Sequence, residues 1–140
     1  PLNLCETMFK YRIREGKNPK TGAAMFYAQA DEVEVLHIDS VTKEISHACT
    51  VTEADVKAVL AEFEFRILAH LQNNESVRMG TLGAFCPRLR STASSLPEEF
   101  TSDNIKGLGV QFRPSSKLLY ALSAKNPEVK FQQIVDNYKE

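Results

Sequence analysis

From Phe9 to Arg14 the chain alternates strictly: Phe9, Tyr11 and Ile13 fall on one side, Lys10, Arg12 and Arg14 on the other. A period of two built from aromatic and β-branched residues predicts a half-buried strand. Gly16-Lys17-Asn18-Pro19-Lys20-Thr21-Gly22 is dense in turn formers, and Met25 to Ala30 returns as a second strand, so residues 8–30 are expected to form a β-hairpin. A flexible basic arm is the alternative. The period then changes. Ile38, Val41, Ile45 and Ala48/Cys49 recur at helical spacing and predict a short helix over 38–49. Thr52-Glu53-Ala54-Asp55 resembles a capping box, with Asp55 in the acidic slot. It opens a long apolar stripe of Val56, Val59, Leu60, Phe63, Ile67 and Leu71, predicting a helix over 53–72 that stops at Asn73-Asn74. The short first helix cannot cover that stripe, so a second copy of the chain is expected to bury it.

Beyond the helices the pattern returns to strands. Val77 to Met79 is a short strand and Gly80-Thr81-Leu82-Gly83 a tight turn. Phe85, Pro87 and Leu89 then alternate with Cys86, Arg88 and Arg90, which separates an apolar face from a basic one. Residues 91–107 are serine-rich, acidic and turn-prone. Leu108, Val110 and Phe112 alternate with Gln111 and Arg113 in a matching strand. Pro114-Ser115-Ser116 opens a third helix expected to bury Leu118, Leu119 and Leu122 and to end at Asn126-Pro127. The tail, with Val129, Phe131, Ile134 and Val135, fits either a strand or a short helix.

Composition adds little until charge is placed along the chain. The 140 residues are 43% hydrophobic and 25% charged, which suits a globular protein. The net charge is only −1, whereas DNA-binding domains are usually basic. That sum hides segregation: +3 over residues 1–30, −7 over 31–76, +3 over 77–90, −2 over 91–109, +3 over 110–125 and −1 in the tail. Charge separated by segment still makes a basic face. No apolar run approaches the roughly 20 residues of a membrane helix, and the opening residues do not read as a signal peptide. Three well-separated cysteines, Cys5, Cys49 and Cys86, argue against a disulfide framework and for a reduced, cytoplasmic setting. Cys49 and Cys86 read as small core residues, Cys5 as exposed near the terminus. His37, His47 and His70 lack ligand spacing, so no metal is expected. No nucleophile–base set, phosphate loop or paired-carboxylate motif is present, so neither enzymatic activity nor a cofactor is expected.

Two short motifs, in order and after the helix pair, carry a resemblance. Leu82-Gly83-Ala84-Phe85 resembles the G-F-G-x-F turn of HU and integration host factor. Phe112-Arg113-Pro114-Ser115-Ser116-Lys117-Leu118 resembles their F-R-P-G-K-x-L element. The likeness spans about Leu36 to Leu122. Tyr11-Arg12-Ile13, Phe26-Tyr27-Ala28 and Val129-Lys130-Phe131 look like the additions of a longer, histone-like bacterial HU-related group. The resemblance implies an α+β, HU-like intertwined dimer: two N-terminal helices, a β-ribbon saddle, a short C-terminal helix and an added N-terminal hairpin. It implies one domain over 1–140, with the hairpin extension at 8–30, the core at 36–122 and the tail at 126–140.

The same resemblance implies sequence-tolerant, architectural binding of double-stranded DNA by a nucleoid-associated homodimer. Arg88 and Arg90, with Gln111 and Arg113 beside them, would face phosphates and the minor groove, joined by Arg78. Lys117 would add charge near the third helix start. Val56, Val59, Leu60, Phe63, Ile67, Leu71, Phe85 and Phe112 would form the dimer core. Three departures stand against simple transfer. Ser91 to Gly107 lacks the family's R-N-P arm tip, its Leu96-Pro97-Glu98-Glu99 repels phosphate, and serine replaces the glycine before the helix lysine. The alternative is an HU-like scaffold that has lost DNA affinity and works through protein contacts; Arg88 and Arg90 would then be an ordinary solvated face. The hairpin tip Asn18-Pro19-Lys20-Thr21-Gly22 resembles the N-P-x-T-G tip of the missing arm. Either it is simply a turn, or Lys17 and Lys20 hold phosphates while Pro19 wedges a base step.

Overall fold

A computed structural model describes residues 8–135, as three α-helices and two three-stranded sheets. The described residues divide into two compact units, residues 8–41 with 122–135 and residues 42–121. Cys5 lies outside the described residues.

In the first unit β1 (Phe9–Lys17) and β2 (Ala24–Ala30) form the expected antiparallel hairpin, in register from Tyr11 opposite Ala30 to Lys17 opposite Ala24. Asn18 closes the tip: its carboxamide oxygen accepts from the Lys20 amide at 2.9 Å, and its carbonyl accepts from Gly22 N–H at 2.8 Å. Gly22 sits at φ 69°, where glycine is unstrained. The tail's ambiguity resolves to a strand. β6 (Phe131–Gln133) runs parallel to β1, with Phe9 N–H donating to Lys130 C=O and Ile134 N–H to Tyr11 C=O, both at 2.8 Å. The tail thus satisfies backbone groups that β1 would leave open at its edge. The Phe9 and Phe131 rings meet edge to face at 6.2 Å.

Two helices follow, α1 (Ile38–Ala48) and α2 (Glu53–Gln72). The capping box at Thr52 and Asp55 is complete, with each residue's side chain accepting from the other's backbone N–H at 3.2 Å. Asn73 caps the far end of α2, and Asn74 at φ 59° turns the chain away. In the second unit α2 packs on β3 (Val77–Met79) and β4 (Gly83–Ser91), with Val56 buried and Leu60, Ile67 and Leu71 half-buried. Val59 remains 67% exposed and Phe63 41%. A second apolar row escapes the one-stripe reading: Phe65 is 61% exposed, with Leu68 beside it, roughly 140° around the helix from the Val56–Leu71 row. A helix apolar on two sides carries more apolar surface than the sheet packed against one of them covers.

β4 pairs with β5 (Ile105–Pro114) from Gly83 opposite Pro114 outward, and the sheet order is β3-β4-β5. Between them, residues 92–104 fold into two single 3-10 turns, Pro97–Glu99 and Ser102–Asn104. Thr92 N–H donates to the Asn104 carbonyl at 2.8 Å, and the Asn104 amide donates to Thr92 Oγ1 at 3.0 Å. These bonds close the segment into a compact acidic loop.

Gly83, at φ 153° and buried, is the tightest point of the β3–β4 turn. A Cβ there would press on the Arg113 carbonyl and come within 2.9 Å of Phe112 Cζ and Pro114 Cα. Gly83→Ala should therefore cost about 3 kcal/mol, from strain and overpacking together, read as a lower denaturant midpoint at unchanged m. Ser115 pins the same turn, donating from Oγ to the Thr81 carbonyl and from its N–H to Leu82 C=O at 2.9 Å. Ser115 Oγ also accepts from Leu118 N–H at 3.0 Å, capping α3 (Ser116–Ala121).

The third helix is shorter than expected. It ends at Ala121, before Asn126-Pro127, because Ser123 and Asn126 bond neighbouring backbone N–H groups and compete with helix continuation. Leu118 is half-buried, but Leu119 is exposed and Leu122, past the helix end, is 68% exposed, so neither joins a core in the single chain. Cys49 is exposed as well, lying beyond the last turn of α1, while Cys86 is half-buried. No helix among the described residues is long and apolar enough to cross a membrane.

Candidate nucleic-acid interface

The β4–β5 ribbon sorts its side chains by the strand period. Phe85 stands opposite Phe112, Pro87 opposite Val110 and Leu89 opposite Leu108, which makes one apolar face with the two phenyl rings 5.3 Å apart. On the other face Ala84 stands opposite Arg113, Cys86 opposite Gln111, Arg88 opposite Gly109 and Arg90 opposite Gly107. The third strand extends that face, because Arg78 pairs with Ala84. Arg78, Arg88, Arg90, Arg113 and Gln111, five residues from three strands, thus share one exposed surface.

Two glycines shape it. Gly107 and Gly109 stand across from the two β4 arginines and leave their side of the sheet without bulk. A Cβ on Gly109 would lie 3.4 Å from Arg90 Cδ and 3.7 Å from Cγ, so the arginine's aliphatic stem runs beside the glycine, in van der Waals reach of any side chain placed there. A bulge follows immediately, with Ser91 opposite Ile105 and Lys106 as the extra residue. It lets the strands leave the ladder and enter the acidic loop, with Gly107 at φ 126°. The sequence reading missed this role for the glycines. Its trace was there: Gly-x-Gly at the same period as Arg-x-Arg.

Lys117 lies off the sheet, exposed as the second residue of α3. Lys17, Pro19 and Lys20 belong to the other unit, all exposed at or beside the hairpin tip. At the open end of the same hairpin, Arg12 Nε donates to Asp31 Oδ1 at 2.5 Å, and this bond holds the Asp31 carboxyl below its ordinary value. His70 in the last turn of α2 pairs at 2.6 Å with Glu75 beyond it, which lowers Glu75 similarly. No group of His, Cys, Asp and Glu among the described residues is arranged to hold a metal ion.

A helix pair, a three-stranded sheet with one arginine-rich face, and a short closing helix define an HU-like α+β chain. The chain belongs to the family described as HU-HIG, an HU domain fused to a winged helix-turn-helix, immunoglobulin or glycine-rich motif, whose model matches residues 8–129. In fold it is similar to a crystal structure from Bacteroides vulgatus ATCC 8482, that of a candidate bacterial DNA-binding protein, with TM-score 0.65 and 14% identity. The match covers 94% of this chain and 51% of that one, so the chain spans about half the length of that relative. No curated protein sequence matches significantly.

Proposed function

We propose that the chain binds double-stranded DNA without sequence preference, as a homodimer and without enzymatic activity, in the manner of a nucleoid-associated protein. One observation carries this reading: four arginines converge on one glycine-cleared sheet face in a chain whose formal net charge is −1. Glycines opposite arginines let a phosphate backbone approach the sheet closely, and guanidinium groups are the preferred phosphate partners. The whole chain acts as one HU-like domain carrying its hairpin as an extension. In the dimer the apolar side of the ribbon and both rows of α2 are covered by the second copy, with Val59, Phe63 and Phe112 central to the contact. The acidic loop replaces a DNA arm, which limits bending by that route.

The test is a titration with a fluorescent duplex at two salt concentrations. Four arginines per chain, doubled in the dimer, would release enough counterions to weaken binding about 10⁴-fold between 50 and 200 mM salt. Weak binding that ignores salt would instead favour a protein-contact scaffold. End labels on the same duplex report bending by energy transfer. If Pro19 wedges a base step while Lys17 and Lys20 hold phosphates, Pro19→Ala lowers the transfer more than it lowers affinity; unchanged transfer makes the tip a plain turn.

A further inference from the structure

The face of the N-terminal sheet opposite Phe9, Tyr11 and Ile13 is separate from the arginine face, which belongs to the other unit, and from the hairpin tip. Register places Arg14 opposite Tyr27, Arg12 opposite Gln29, Gly16 opposite Met25 and Lys10 opposite Gln132. Lys10 and Arg14 are exposed, and Tyr27 is 50% exposed. Arg12, between the two cations, is engaged by Asp31, which leaves Lys10 and Arg14 as the outward charges of the row. Tyr27 does not stand up from the sheet. Its ring leans over Gly16, where a Cβ would meet Cε1 at 2.9 Å and Cδ1 at 3.6 Å. Glycine at that one position is what lets the ring lie down, so part of the tyrosine is backed by the strand and the rest faces solvent.

We infer that this face is a second nucleic-acid site, specific for single strands, in which Tyr27 stacks on an unpaired base while Arg14 holds the phosphate beside it and Lys10 holds one further along the strand. An aromatic ring laid on a sheet offers a flat partner to any base, and cations along a neighbouring strand track the backbone. Lys10 and Arg14, four apart on β1, are separated by about 13.6 Å, so the cations are strung along the strand instead of clustered at a point. Bases inside a duplex are already stacked on both sides and have no face for Tyr27, and this selects the single strand. The site lies wholly within the first unit and does not rest on the duplex-binding reading of the arginine face.

The experiment uses the full chain and 12-nucleotide oligo-dT and oligo-U with fluorescent end labels, alongside a 12-base-pair duplex. Both single strands should bind and quench the protein's tyrosine emission, which is readable because the chain has 4 tyrosines and no tryptophan. A preference for one strand type identifies whether DNA or RNA is the better ligand. Tyr27→Leu should weaken single-strand binding about tenfold or more and remove the quench, whereas Tyr27→Phe keeps both. Arg14→Glu, an exposed change that does not depend on packing, should weaken it comparably and lower the salt slope. Duplex binding should be untouched by these variants. Arg88→Glu with Arg90→Glu should leave single-strand binding intact, so failure of the duplex reading is seen separately. No single-strand binding by the native chain, equal binding by Tyr27→Leu, or loss through the Arg88 and Arg90 changes would each overturn the inference.

Discussion

Phe63→Asp is expected to abolish the dimer, and with it the fold at micromolar concentration. Native protein should scatter light as twice the 15.7 kDa chain mass. Phe63 lies in the α2 row that packs on the sheet, yet stays 41% exposed in the single chain, with Val59 more exposed beside it. Burying a phenylalanine contributes about 1.5–3 kcal/mol, and an unpaired carboxylate in its place adds a penalty of several kcal/mol. Two-fold symmetry doubles each term, so the loss exceeds about 6 kcal/mol, more than 10⁴-fold in the dimer dissociation constant. The variant should elute and scatter as unfolded or aggregated chain. Phe63→Leu, which keeps most of the apolar contact, should remain dimeric. A native protein that is a folded monomer at micromolar concentration, or a folded Phe63→Asp dimer, would remove the intertwined assembly from the account.

Replacing Arg88 and Arg90 together by glutamate is expected to weaken duplex binding on the order of 10³-fold at low salt and roughly to halve the salt slope, since four of eight arginines in the dimer are lost. The weakening should be equal for unrelated duplex sequences, because the proposed contacts are to phosphates, which carry no base readout. Both side chains are exposed and point away from the Phe85–Phe112 face, so the fold should survive; an unchanged denaturant midpoint checks this. Unchanged affinity in the folded double variant would make the face an ordinary solvated one. A change of Gly109 to glutamine is a milder companion: it puts bulk beside the Arg90 stem on the cleared face and should lower affinity without removing charge.

How much of this was legible in the chain depended on whether the cause was local. The hairpin, α2 with both of its ends, and the β3 strand came through because turn residues, caps and periodicity act within a few residues: Thr52 and Asp55 bond each other, and Asn73 and Asn74 stop the helix where they stand. The split of β4 and β5 into an apolar and a basic face followed from period two alone. Contacts between distant segments were not legible. Nothing in Val129 to Val135 says that it pairs with β1, because the partner supplies the hydrogen bonds that decide strand over helix. Leu122 reads as a core residue by its type and spacing, yet the helix ends before it through the side chains of Ser123 and Asn126. Register decided the rest. Whether Arg78 joins the arginine face, whether Gly109 lies beneath Arg90, and whether Tyr27 falls on Gly16 each depend on which residue meets which across a ladder, and a slip of one residue sends every side chain to the opposite face.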